Sequence, residues 1–543
     1  MKNQKIYFFY GLLAIGFLFL LARLFELQII FGNKNRGLAE GNRIKKEIMP
    51  APRGMIYDRN GKELVRNVPI YRRRAQTDEC LDKKEECFAL ISREEALKME
   101  ARGETENLRM DIGRQYPYGE ILAHALGYLG EANENEVKEN KFKAGDLVGR
   151  MGVEEQYNEL LKGKEGGEVF EVDAQGRKIR QIGKTEPIPG QDLHLSLDVD
   201  LSQKTYESLG SKPGAVVATT ASNSQILVFV SSPSFNPNLF STDFTPEKNQ
   251  QIKEILTSPD QPFFNRTSGG VYPPGSTFKI IVAVAGIQEG KINEGTTWND
   301  TGEIKVGEYS YKNWYFTQYG RTEGEVNVVK ALKRSTDTFF YKAGEWIGPS
   351  LITKWARNFG LGQKTNLDLP GEVSGLVPNP EGKNKSGERW YLGNTYHLAI
   401  GQGDLLTTPL QVNMMTEAIA NNGQLCQPEI KNRNFDGKNI KAKCQDLKLS
   451  STALSLVKEG MKEVCSTGGT AYSFFDFSPQ VAGKTGTAQF ADKEKTHAWF
   501  TAFAPLDKPE IIATAIIEGG GEGSAEAAPV VKKVMEAYFG QGQ

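Results

Sequence analysis

Val271-Tyr272-Pro273-Pro274-Gly275-Ser276-Thr277-Phe278-Lys279-Ile280-Ile281-Val282-Ala283-Val284-Ala285 is the stretch on which the fold turns. Two prolines and a glycine block helix ahead of Ser276. The run from Ile280 to Ala285 is apolar all round, the mark of a buried helix. Ser276 and Lys279 stand at i and i+3, which share one helical face, so the lysine amine can approach the serine hydroxyl. A lysine at the mouth of a buried helix is partly desolvated, and burial lowers an amine pKa by up to about 3–5 pH units. That makes Lys279 a usable base near neutral pH and Ser276 an activated nucleophile. The helix N-terminus also offers the Ser276 amide to a developing oxyanion.

The spacing alone proves little. Ser455-Leu456-Val457-Lys458 matches it inside an amphipathic stretch with no breaker before it, where an exposed helical face is the better reading. For Ser276 and Lys279 the plain alternative is a helix cap beside a surface lysine. Two further motifs lie downstream. Ser335-Thr336-Asp337 precedes Thr338-Phe339-Phe340-Tyr341 and is expected at a helix start, whereas Lys484-Thr485-Gly486-Thr487-Ala488 reads as an extended segment. Each has a decoy, Ser241-Thr242-Asp243 and Lys385-Ser386-Gly387, in polar, turn-rich surroundings. Single hits are cheap; three in order, each in suitable local context, are far rarer by chance.

Other chemistries fit poorly. The four histidines (His124, His194, His397, His497) are scattered, and no serine sits in a G-x-S-x-G elbow, which argues against a Ser-His-Asp hydrolase. No H-E-x-x-H or C-x-x-C pattern occurs, so neither metal nor cofactor is expected. Lys plus Arg total 66 against 67 Asp plus Glu, a balance that gives no electrostatic reason to expect nucleic acid. Five cysteines leave two short-loop disulfides open, Cys80–Cys87 and Cys426–Cys444, with free thiols as the alternative.

The chain of 543 residues is long enough for two or three domains, and a mean hydropathy of -0.44 excludes a polytopic membrane protein. Ile6 to Ala22 carries no charge and as a helix would reach about 26 Å, a little short of the roughly 30 Å hydrocarbon core. No A-x-A-like cleavage site follows, so an uncleaved anchor is preferred to a signal peptide. Arg23 and Glu26 can partly compensate each other at the interface. Lysines and arginines on both flanks leave the orientation undecided by charge.

Beyond the anchor, short strands are expected at Met55–Tyr57 and Glu63–Val65 around an Asp58-Arg59-Asn60-Gly61 turn. Residues 66–110 show little pattern, and Val153–Leu161 reads as one helix. Ile188-Pro189-Gly190 marks a boundary. After it, alternating Leu193, Leu195 and Leu197 suggest a strand, as do Ala215–Ala218, Ile226–Val230, Trp499–Phe503 and Ile511–Ile517. A helix from about Ala527 to Tyr538 follows. Strands at both ends with helices between predict an α+β domain whose sheet closes late. Tyr311–Tyr319 is rich in aromatics and reads either as a cleft wall or as packing; His497 reads as structural.

S-x-x-K, S-D-N and K-T-G together are the signature of class A β-lactamases and penicillin-binding proteins. Nearly the whole chain resembles class B penicillin-binding proteins. Further matches are Arg53-Gly54-Met55-Ile56-Tyr57-Asp58-Arg59-Asn60-Gly61, Arg114-Gln115-Tyr116-Pro117, Gly149 to Tyr157 and Ser232-Pro233-Ser234-Phe235-Asn236-Pro237-Asn238. Ser335 to Tyr341 and Ile400-Gly401-Gln402-Gly403-Asp404-Leu405 look like the elongation type, penicillin-binding protein 2. The resemblance implies an α/β (α+β) transpeptidase domain at 191–543, an antiparallel sheet flanked by helices. It would be preceded by a transmembrane anchor at 1–31 and an elongated non-catalytic pedestal at 32–190.

It also implies roles. Ser276 would attack the carbonyl between two D-alanines of a peptidoglycan stem peptide and Lys279 would take its proton. Ser335 would relay protons near the leaving group, Asp337 would orient Lys279 or bind a substrate amide, and Lys484, Thr485 and Thr487 would hold the terminal carboxylate, with Gly486 beside them in the substrate site. β-lactams would acylate the same serine, outside the cytoplasmic membrane, and elongation proteins with a polytopic glycosyltransferase would be partners. Asp337 departs from the commoner Asn and brings a charge near two lysines. The rival readings are a D,D-carboxypeptidase, a β-lactam hydrolase or sensor, and a scaffold that activates a glycosyltransferase.

Overall fold

The computed structural model describes residues 2–541 except 75–87, 140, 144, 174–176, 242–245, 434, 436–440 and 490–494. Two compact units divide the chain. One comprises Met1–Gly54 with Glu159–Gln191, the other Met55–Asn158 with Asp192–Gln543.

The first unit opens on a helix, Lys2–Phe25, continued by a short wider turn at Glu26–Ile30. Ile6–Ile30 is long and apolar enough to cross a membrane, and its apolar side chains are exposed rather than packed into protein. This fits a single-pass anchor. Strands Ile44–Met49, Gly166–Val172 and Lys178–Thr185 then make an antiparallel three-stranded sheet.

In the second unit, five strands carry the main sheet: β1 (Gly214–Thr220), β2 (Ile226–Ser232), β3 (Ala482–Gln489), β4 (Thr496–Ala504) and β5 (Ile511–Ile517). All pairs are antiparallel, in the order β2-β1-β5-β4-β3. The last strand therefore sits between the first and the fourth, and the sheet closes only when the C-terminal segment arrives. The helices of this unit include α1 (Val199–Leu209), α2 (Lys279–Gln288), α3 (Val328–Arg334), α4 (Asp337–Ile347), α5 (Pro409–Ala420), α6 (Ser451–Val464) and α7 (Ala527–Tyr538).

Both faces of the sheet are covered. Val216, Ala218, Ala513 and Ala515 pack with residues of α1 and α7 on one face. On the other, α5 lies against β1, β4 and β5. That contact has a polar seam: Thr219 Oγ1 donates to Asn413 Oδ1 at 2.7 Å, and Thr416 meets Thr501 at 2.7 Å. Buried polar atoms that satisfy one another in this way fix the position of the helix on the strands, because any slip leaves them unpaired. Helix α2 is buried from Lys279 to Ile287 and packs with α4 and α6.

Three expectations need correction. Residues 66–110 are not patternless: Glu63–Arg74 is a twelve-residue strand pairing with Phe88–Ile91 and Leu108–Gln115, with a helix at Arg93–Ala101. Hydrophobic alternation misses it because a charged residue takes an interior position. Arg72 is buried against Glu131 at 2.8 Å and Asp111 at 3.4 Å. The single helix over Val153–Leu161 is two short ones, Gly152–Gln156 and Asn158–Lys162, parted at Tyr157, whose hydroxyl donates to Asp368 at 2.5 Å. Of the three alternating leucines, only Leu193 lies in a strand (Leu193–His194), although all three are buried. Cys426 and Cys444 are disulfide-bonded and Cys465 is a buried free thiol. Cys80 and Cys87 lie outside the described residues.

Candidate active site

Ser276 lies in a 3-10 turn, Gly275–Phe278, that runs directly into α2. The turn begins at Gly275 with φ +54, where a Cβ would come within 2.8 Å of the Thr487 carbonyl oxygen. Glycine is therefore required here twice, for its backbone conformation and for the space. Its amide donates to the Gly401 carbonyl at 2.9 Å, and the Gln402 side chain reaches the Thr487 carbonyl at 3.2 Å. The 400–404 segment thus braces the turn and the edge strand together. Trp499 Nε1 ties the preceding Pro273 carbonyl to β4 at 2.9 Å. Ser276 itself stays half-exposed.

Lys279 opens α2 with its side chain 0 % exposed. Its amine donates to the Ser335 carbonyl at 2.8 Å, to Ser335 Oγ at 3.2 Å and to Asp337 Oδ1 at 2.6 Å. Two of these acceptors converge because of the backbone at Ser335, which caps α3 in the left-handed region with φ 54 and ψ 37. The amides of Ser335 and Thr336 return to the carbonyls of Leu332 and Ala331, a Schellman ending in which glycine is the usual occupant. Helix α4 starts at Asp337, as the sequence suggested. Burial pushes the Lys279 amine below the ordinary lysine range, and the Asp337 carboxylate only partly opposes it.

Lys484 lies on β3, the edge strand, also 0 % exposed. Its amine donates to the Thr485 carbonyl at 3.1 Å. Burial, reinforced by repulsion from Lys279, holds it well below the ordinary lysine value. Two desolvated amines share one carboxylate, and that carboxylate contacts Lys279. Along β3 alternate residues face opposite ways. A Cβ on Gly486 would meet Pro274 O, Thr277 Cγ2 and Trp499 Cβ, each at 3.0 Å, so that face abuts the Ser276 turn. Thr485 pairs with Thr470 at 2.7 Å, and Thr487 is exposed. The structure thus brings Ser276, Lys279, Ser335, Asp337 and Lys484 to one place, with Thr485, Gly486 and Thr487 along its edge.

The decoys separate cleanly. Ser455 is exposed in mid-helix and Lys458 reaches Asn422 at 2.8 Å; Lys385 ends a short surface helix, Pro380–Lys385. Thr242 and Asp243 lie outside the described residues. Tyr311 packs edge-on against Tyr341 and Tyr396, whereas the neighbouring Trp314 lends its amide to Asp337 Oδ2 at 3.0 Å. His497 accepts from the Gly519 amide at 3.4 Å and packs against Tyr272. Asp300 and Asn313, which join this site through hydrogen bonds, carried no signal in the sequence beyond Asn313 falling within the aromatic stretch. Among the described residues no His, Cys, Asp and Glu cluster suits a metal ion.

Residues 214–536 match the family model for the penicillin binding protein transpeptidase domain, and residues 91–195 the penicillin-binding protein dimerisation domain. A curated relative, peptidoglycan D,D-transpeptidase MrdA of Acinetobacter baumannii, is 33% identical, with 98% of this chain and 87% of the relative covered. This chain belongs to the penicillin-binding protein 2 family. Among solved structures, penicillin-binding protein 2 of Helicobacter pylori in complex with MreC superposes with a TM-score of 0.80 at 30% identity, covering 92% of this chain and 99% of that one. A chain of a peptidoglycan synthase complex that coordinates polymerization and crosslinking superposes with a TM-score of 0.78 at 29% identity, covering 99% of both. In this penicillin-binding protein the family-like segments at 114–117, 149–157 and 232–238 also make contacts of their own. Arg114 and Glu154 form a fully buried ion pair at 3.0 Å, and Asn238 exchanges two hydrogen bonds with the Tyr116 backbone, at 2.8 and 2.9 Å.

Proposed function

We propose that this chain is a peptidoglycan D,D-transpeptidase that cross-links stem peptides during cell elongation. The observation that carries the reading is the buried Lys279 amine, one helical turn from a half-exposed Ser276 and held by Ser335 and Asp337. Ser276 Oγ attacks the carbonyl between the two D-alanines as Lys279 takes its proton. The amides of Ser276 and Thr487 face the oxyanion, each such donor being worth about 10²- to 10³-fold in rate. Ser335 carries a proton to the departing D-alanine amine, the C–N bond breaks and the acyl-enzyme remains. An amine of a neighbouring stem then attacks the ester and Ser276 regains its proton. Lys484, Thr485, Gly486 and Thr487 hold the terminal carboxylate, and a β-lactam enters as a mimic of the same substrate.

The anchor at 1–31 tethers the protein as a single-pass membrane protein. The 32–190 pedestal and the 191–543 domain lie outside the cytoplasm, where the substrate is. The relatives seen with MreC and in a peptidoglycan synthase complex support elongation proteins and a glycosyltransferase as partners.

Labelled penicillin tests the nucleophile. The expected outcome is one adduct on the Ser276 peptide, lost in Ser276→Ala; undiminished labelling of that variant removes Ser276 from the role. Incubation with a stem peptide and an acceptor amine, read by mass, separates transfer from hydrolysis. Cross-linked product is expected, and free D-alanine with only trimmed peptide supports a carboxypeptidase.

A further inference from the structure

Asp337 is held at three points, two on its carboxylate and one on its backbone amide. Oδ1 faces the Lys279 amine at 2.6 Å and Oδ2 accepts from the Trp314 amide at 3.0 Å, while the Asp337 backbone amide donates to Asn313 Oδ1 at 3.1 Å. Asn313 is fully buried, and its other end, Nδ2, donates to Asp300 Oδ2 at 2.9 Å. Asp300 is 1 % exposed. It also accepts from the Gly302 amide at 3.0 Å, the Glu323 amide at 2.8 Å and Thr338 Oγ1 at 2.7 Å. Four donors satisfy a carboxylate that the interior would otherwise penalise heavily.

A carboxamide has a donor end and an acceptor end. Asp300 accepts only, so it claims Nδ2 and leaves Oδ1 facing the first amide of α4. The Asn313 side chain caps that amide from outside the helix, and its backbone leads straight into the Trp314 amide on the Asp337 carboxylate. Asp300 and Asn313 thus fix the carboxylate that contacts the Lys279 amine.

We infer that Asn313, oriented by Asp300, is a positioning residue that sets the Asp337 carboxylate and through it the Lys279 amine for acylation. The inference rests on Lys279 serving as the base for Ser276. The segment from Asp300, which ends the strand Trp298–Asp300, through the hairpin of Glu303–Val306 and Tyr309–Lys312 to Asn313 is thereby part of the catalytic apparatus.

Acylation of the full-length protein in detergent by a fluorescent penicillin, resolved into the non-covalent dissociation constant and the first-order acylation rate, tests this. Asn313→Ala is expected to lower the acylation rate about 10- to 100-fold, the span of a lost hydrogen bond in a charged network, with the dissociation constant within about two-fold. In an Asp337→Ala background the same substitution is expected to have less than about a two-fold effect, because its route to Lys279 is gone. Should Asn313→Ala not fold, the isosteric Asp300→Asn takes its place in the same cycle, since a carboxamide at 300 no longer dictates which end of Asn313 faces Asp337. A wild-type acylation rate, or equal losses in both backgrounds, overturns the inference. Lys279→Ala is the companion measurement. An inactive Lys279→Ala beside an unaffected Asn313→Ala refutes only the positioning role, whereas wild-type acylation by Lys279→Ala overturns the base assignment and the inference with it.

Discussion

Ser335 occupies a backbone conformation that costs an L-residue roughly 1–2 kcal/mol. The conformation lets one residue present both its carbonyl and its hydroxyl to the Lys279 amine. Glycine would relieve the strain and keep the carbonyl but remove Oγ. Ser335→Gly is therefore expected to melt no lower than the wild type while acylating at least about ten-fold more slowly, read by calorimetry and penicillin labelling. A large fall in melting temperature would mean the hydroxyl mainly supports the fold. The amines make a second prediction. The neutral form is the base, and burial places it within reach below the ordinary lysine range, so the acylation rate rises with pH and levels off before that range. Asp337 opposes this depression, so in Asp337→Asn the rising limb moves to lower pH. A pH–rate profile of both proteins checks the direction; a shift to higher pH contradicts it.

At the scale of elements, the site exists because an edge strand lies unusually close to the start of a helix. Gly486 has an ordinary backbone, and its value is the missing side chain between β3, Pro274, Thr277 and Trp499. Gly486→Ala is expected to push β3 away from the Ser276 turn, lowering acylation at least about ten-fold, with about 1–3 kcal/mol of destabilisation from overpacking. Labelling kinetics beside a denaturation curve distinguish the two effects. Were acylation unchanged, the two elements would have more room than the contact distances give them. This closeness also explains why the 400–404 segment belongs to the site. Gly401 would place a Cβ 2.1 Å from the Gly275 carbonyl, so that only glycine lets the brace sit there.

Over the whole molecule, the segments around Arg114 and Glu154 are joined through charges buried in protein. Glu154→Ala leaves the Arg114 guanidinium buried without its carboxylate, an expected loss of about 3–5 kcal/mol. A lower apparent melting temperature is anticipated, while penicillin labelling at low temperature survives because the substitution touches none of the residues at Ser276. Loss of labelling with an unchanged melting temperature would reverse this assignment.

The chemistry and the class of fold were legible from local patterns taken together with the motif resemblance. A serine and a lysine one turn apart, breakers before them and apolar residues after them are local facts. The β1, β2, β4 and β5 segments announced themselves by apolar runs, broken only by Thr501 in β4 and Thr514 in β5, because both faces of that sheet are covered. The resemblance anticipated that Asp337 meets Lys279, but how it does so, and which further groups join, emerges only on folding. Asp337 contacts Lys279 because a left-handed turn joins α3 to α4, and Asn313 and Asp300 join them across more than 20 residues of chain. The strand through Arg72 was hidden for the same reason. Hydropathy records how much a side chain avoids water, whereas a buried hydrogen bond or ion pair depends on a partner that only folding brings near.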